Sequence, residues 1–256
     1  MRRALLAGLM IGALALFGGH AAHAAGDAPD VPDQDWQHEG VFGTFDRGEL
    51  QRGFQVFQEV CSACHSLQYI AFRNLVEIGF TEQEAKAIAA EYEVEDGPDD
   101  EGEMFYRPAR LSDYWPAPFA NDNEARASNG GALPPDLSLI IKAREGGADY
   151  VYALMTGYEE EAPEGMELAD GMNFNHFFPG QQIAMVAPLY EEAVEYVDGT
   201  PMTVEQHARD VTAFLAWTAE PELEERKQTG LKVLIFVFVL TAVLFVIYRR
   251  VWAKLH

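Results

Sequence analysis

Both cysteines of this 256-residue chain fall within four positions, Cys61 and Cys64 in the run EVCSACHSLQ, and His65 follows directly. Thiols at this spacing can form half of a zinc site, a redox dithiol, or the attachment point of a haem. Structural zinc takes four Cys or His ligands, and His38, His176, His207 and His256 are not spaced to complete such a set. A thioredoxin-type dithiol belongs in a strand–helix–strand setting, which the flanking residues do not offer. The third use engages all three side chains. Each S–H adds across one vinyl group of the porphyrin to leave a thioether, and the adjacent imidazole lies under the iron. The motif therefore predicts one covalent haem c, held by Cys61 and Cys64, with His65 as axial ligand.

The two ends set the compartment. Arg2 and Arg3 precede an apolar run, Leu5–Phe17, and Ala22-His23-Ala24 fits a small-residue cleavage site, the pattern of a secretory signal. The mature chain is then expected to enter an oxidising compartment, where two neighbouring thiols persist only if they are consumed. Near the other end, Val233–Tyr248 is free of charge. Leu231 to Trp252 as helix would rise about 33 Å, enough to cross a bilayer core. Arg249, Arg250 and Lys254 follow, so the positive-inside rule puts that tail in the cytoplasm. The expected division is a signal peptide over 1–24, a periplasmic haem domain over 25–230, a transmembrane helix over 231–250 and a cytoplasmic tail over 251–256, in a bacterial inner membrane.

With Arg2, Arg3, Lys232, Arg249, Arg250 and Lys254 set aside, residues 25–230 carry a net charge of −29. Phosphates would be repelled, which argues against nucleic acid as a partner and against anionic lipid as a docking surface for this body. A basic soluble partner suits it, because opposite fields accelerate encounter. Apolar spacing predicts a helix over 47–60, with Phe54, Phe57 and Val60 on one face. Thr81 and Glu84 form a capping box opening a helix to about Tyr92, and Thr203 caps another. Short helices are expected near 136–144 and 149–156. Strand signals are sparse, so the class is mainly α: a cytochrome c-type haem domain with large insertions, plus one C-terminal transmembrane helix.

The far side of the iron calls for a second ligand if the haem is to carry electrons rather than bind gas. A thioether raises the potential, and Met104, Met155, Met166, Met172, Met185 and Met202 are the candidates. Met185, in PGQQIAMVAPLY, is favoured because Gly180 and Pro188 frame a short apolar loop around it. Met172 stands second, and His176 or His207 would give a bis-histidine haem.

A cleaved signal, a CxxCH near the mature N-terminus and a C-terminal span together resemble cytochrome c1, the haem subunit of the cytochrome bc1 complex. So do QRGFQVFQEVCSACHSL, DGPDDEGEMFYRPARLSDYWPAP, NGGALPPDLSLIIKAREGGADYVYALMTGY, FNHFFPGQQIAM and AEPELEERKQTGLK, across essentially all of 36–256. The resemblance implies that Met185 is the axial ligand. It puts Asn129 and Pro135 beside the haem and makes Arg144 and Tyr150 partners of its propionates. A carbonyl near Pro134–Pro135 is the expected acceptor for the free His65 N–H. It further implies a redox subunit with no catalysis of its own, placed beside cytochrome b within a dimeric complex. The Rieske iron–sulfur protein would be its electron donor and a soluble or membrane-tethered cytochrome c its acceptor. The alternative is a free-standing membrane-anchored cytochrome. Some bacterial members carry a disulfide in the insertion after LMTGY; this chain has no cysteine for one, so packing alone is expected to hold residues 157–180.

Overall fold

Asp30 to Ala253 are described in the computed structural model; the expected signal peptide, and Lys254 and His256, lie outside the described residues. Asp46, in extended geometry, accepts the Glu49 N–H at 2.9 Å and opens helix α1, Arg47–Val56. The expected 47–60 helix does not continue in α register. Phe57–Cys61 forms a π turn, closed by Ser62 N–H donating to Phe57 O at 2.8 Å. One extra residue in a turn swings everything after it by about 100° around the axis. Phe57 lies in the core, and Cys61, four residues on, packs half-buried against its edge.

A 3₁₀ turn, Phe72–Ile78, leads to helix α2, Glu82–Ala90, whose capping box is complete: Glu84 N–H donates to Thr81 Oγ1, and Thr81 N–H to Glu84 Oε2. Strands β1 (Glu93–Asp96) and β2 (Phe105–Pro108) pair antiparallel, Glu93 opposite Pro108. Arg107 of β2 clamps this hairpin to the following turn through Asp96 and Asp113. Helices α3 (Asp122–Ser128), α4 (Ile140–Ala143) and α5 (Gly147–Thr156) follow, then a two-residue ladder of β3 (Asn173–Phe174) and β4 (Gln182–Ile183). The helix expected over 136–144 shrinks to α4. Asp136 spends its carboxylate on Ser66 Oγ, the Gln68 N–H and the Ser138 N–H, so its own backbone serves a loop.

Helix α6, Val204–Ala219, is the axle. Asp210 through Ala219 are all buried, on every face of the helix. It lies against α1 at backbone distance. A Cβ on Gly53 would stand 2.0 Å from Asp210 O and 2.7 Å from Phe214 Cβ. Beside this contact, Arg52 forks onto the fully buried Asp210 carboxylate (Nε and Nη2, 3.0 and 3.1 Å) and reaches Asp198 with Nη1. Aromatic edges fill the rest: Phe54 meets Phe80, Trp115 and Phe214 at centroid distances of 5.4, 5.6 and 5.8 Å. Such pairs add to the burial of their large apolar area.

The last helix, α7, runs unbroken over Leu223–Trp252. It starts two turns before the expected span, and those turns bind the body: Arg47 pairs with Glu224, and Lys227 Nζ donates to His38 O and Gly43 O at 2.6 and 3.0 Å. Beyond Leu231 its apolar side chains are exposed. By length and composition α7 fits a membrane anchor. The class is mainly helical, as expected.

Candidate functional site

Cys61, Cys64 and His65 lie on the turn that ends the π segment, where the N–H groups of Cys64 and His65 both donate to Cys61 O (3.1 and 2.9 Å). Both thiols are free and half-buried. Burial, with Cys64 adding, pushes the Cys61 thiol up to about 12. A redox dithiol needs the opposite shift, toward thiolate. Among the described residues, no group of three or more His, Cys, Asp or Glu side chains is arranged to hold a metal ion.

His65 Nδ1 lies 2.8 Å from Pro135 O, the acceptor expected from the sequence. A carbonyl can only accept, so Nδ1 carries the proton and donates it. Nε2 is left with its lone pair. Burial lowers the imidazole pKa, outweighing the Pro135 contact and the Asp136 charge, and keeps that lone pair available. Two thiols and one oriented neutral imidazole on a single turn are the donor set that covalent haem requires, and the residues present fit the group.

Met185 sits half-buried after β4. Its backbone is pinned rather than loose: Tyr158 Oη–H and Asn173 Nδ2–H both donate to Met185 O, at 3.2 and 3.3 Å. Sequence reasoning missed this pair, and no motif could have shown it, since Tyr158 follows α5 while Asn173 lies on β3, fifteen residues further on. It also missed Asn175, which is fully buried. Its amide donates to Leu154 O, and its carbonyl accepts the Phe177 and Phe178 N–H groups. Packing alone was expected to hold residues 157–180; a polar staple on Asn175 and the β3–β4 ladder hold them as well.

Tyr150, on α5, is buried, and burial raises its phenol pKa while the Arg144 charge opposes the shift. Tyr158 is raised by burial too, with Tyr150 contributing. Through its hydroxyl, Tyr158 ties this region to the Met185 carbonyl. The Arg144 guanidinium is exposed and reaches Ala143 O at 3.2 Å. Asn129 closes the end of α3, its amide donating to Ala125 O at 2.7 Å. Among the weighed alternatives, Met172 and His176 are exposed, whereas His207 is buried on α6 and donates Nε2–H to Val194 O at 3.1 Å. His207 belongs to the core.

A sequence model of the Cytochrome C1 family matches residues 36–255. The chain is 47% identical over 267 residues to cytochrome c1 of Rhodospirillum rubrum, covering 98% of this chain and 97% of that protein. It is 54% identical over 221 residues to the mitochondrial cytochrome c1, heme protein, of Schizosaccharomyces pombe, covering 86% of this chain and 72% of that one. With a protein of Bradyrhizobium diazoefficiens named cytochrome b/c1 it shares 47% identity over 242 residues, 86% of this chain and 35% of that longer one.

Proposed function

The chain belongs to the cytochrome c1 family, and from that footing we propose that it is the electron-transfer subunit of a cytochrome bc1 complex. Cys61 and Cys64 would hold one haem c as thioethers, and His65 Nε2 and Met185 Sδ would be its axial ligands. The group, when bound, supplies a one-electron couple, reduced by the Rieske iron–sulfur protein and oxidised by a cytochrome c.

The chain's own residues position and insulate. Pro135 O fixes the His65 tautomer, so the ligating nitrogen needs no proton rearrangement when charge arrives. Tyr158 and Asn173 hold the Met185 loop, and two permanent ligands mean that little has to move between oxidation states. Arg144 can pair bidentately with a propionate and Tyr150 can donate to the other. Asn129 and Pro135 line the same pocket in this reading. A periplasmic body tethered by α7 beside cytochrome b keeps donor and acceptor within reach. The relative named cytochrome b/c1, of which this chain matches only part, supports cytochrome b as the neighbour.

The observation that carries the reading is the Nδ1–H contact to Pro135 O beside two free half-buried thiols. Its test is the pigment of protein made in a host competent in cytochrome maturation. A reduced-minus-oxidised spectrum of c type, with colour retained on the chain through acid acetone, is the expected result. Colourless protein, or pigment released into the solvent, overturns the proposal.

A further inference from the structure

Val41 and Phe42 are 71% and 79% exposed. They occupy the tip of a short loop whose two ends are clipped to α7. Lys227 Nζ holds His38 O on the incoming side and Gly43 O on the outgoing side. Farther along, Phe45 N–H donates to Glu224 Oε1 at 2.8 Å, and the Phe45 ring stacks on His38 at 4.9 Å.

These contacts give the loop a direction. Phe45 is held from Glu224 and Gly43 from Lys227, a residue about 4.5 Å nearer the apolar segment along the helix. Phe42 and Val41 directly precede that clip and are exposed, so they can extend beyond it. Lys227 is in turn about 6 Å above Leu231, where the apolar surface of α7 begins, and a headgroup layer is about 5–7 Å deep. Two residues past the clip can reach about 7 Å, the depth at which an aromatic ring and a branched aliphatic gain from the headgroup–acyl boundary. Gly40, at φ +68°, makes the turn that puts the apolar pair at the end. The acidity of the body does not oppose this contact, because the inserting groups are uncharged and the cation of Lys227 holds both ends of the loop.

We infer that the loop from Gly40 to Gly43 is a second membrane contact, seating Val41 and Phe42 in the lipid interface alongside α7 and fixing the tilt of the haem domain on its anchor. This inference rests on reading α7 as a membrane span, and the two are tested separately. Phe42 is replaced by a benzophenone amino acid in the full chain, in its native membrane, and irradiated; Val41 is treated likewise in a second variant. The fully exposed Val197, beside the Asp198–Arg52 pair, serves as the control on the water side. Phospholipid-mass adducts on the tryptic peptides at 41 and 42, and none at 197, are expected. Adducts to cytochrome b or another protein, or no lipid adduct at either loop position, overturn the inference. Carbonate extraction of the same membranes tests the span: chain that stays in the pellet while the loop takes no lipid removes the loop proposal alone, and chain released to the supernatant removes both.

Discussion

Tyr158 and Asn173 decide how freely the Met185 sulfur can move, because both donate to its carbonyl. In the proposed ligation Met185→Leu should lower the midpoint potential and let the reduced protein bind carbon monoxide. A variant that keeps the potential and refuses the gas would remove Met185 from the iron. Tyr158→Phe tests the clamp. It touches neither cysteine, so haem attachment should be unchanged, while loss of one hydrogen bond worth about 1 kcal/mol raises the ligand-off population about fivefold. Carbon monoxide uptake by the reduced variant reads that population directly. At this scale the thiol pair and His65 were legible from local spacing, whereas the carbonyl acceptor, 70 residues away, was expected only with the family resemblance. Tyr158, Asn173 and Asn175 were not, since nothing in a polar insertion marks which amides end up inside.

Helices α1 and α6 meet without side chains between them at Gly53, and that contact sets how the Cys61–His65 turn sits on the core. Gly53→Ala would drive a Cβ into the Asp210 carbonyl. The helices must separate, which also strains the Arg52–Asp210 fork and the Phe54–Phe214 contact. We expect a destabilisation of about 3 kcal/mol, seen as a lower denaturation midpoint of the full chain in detergent. Gly230→Ala, on α7 with open space around its Cα, should be neutral or stabilising by up to about 1 kcal/mol, the helix-propensity difference. Equal effects of the two would refute close packing at Gly53. The capping residues Thr81 and Thr203 were readable in advance because a cap is a local device. The π turn was not: nothing in FQEVC marks the change of hydrogen-bond register.

Across the whole molecule, charge is the dominant long-range feature. Arg47, Arg52, Lys86, Arg107, Lys142, Arg209 and Arg226 are each engaged with carboxylates of the same chain. The acidic runs at Asp99–Glu103, Glu159–Glu161 and Glu191–Glu192 are exposed. The excess is therefore presented to solvent rather than neutralised inside. Electron transfer to a basic cytochrome c should slow steadily as ionic strength rises, because the steering field is screened over about 10 Å at 0.1 M salt. Stopped-flow rates that do not change with salt would dismiss an electrostatic acceptor surface.

Chemistry was determined by the sequence alone wherever it depends on neighbours in the chain: two thiols and an imidazole on one turn, an apolar run of membrane length, caps at helix starts, and a net charge that needs only counting. The tertiary structure alone decided what depends on distance through space. That includes the approach of α1 to α6 at Gly53, the all-round burial of α6 from Asp210 to Ala219, the clamp on the Met185 carbonyl, and the tie of residues 38–43 to α7. The physical reason is range. Covalent spacing and intrinsic charge survive in an unfolded chain, whereas a carbonyl acquires its donor, and a glycine its necessity, only when segments a hundred residues apart have been packed together.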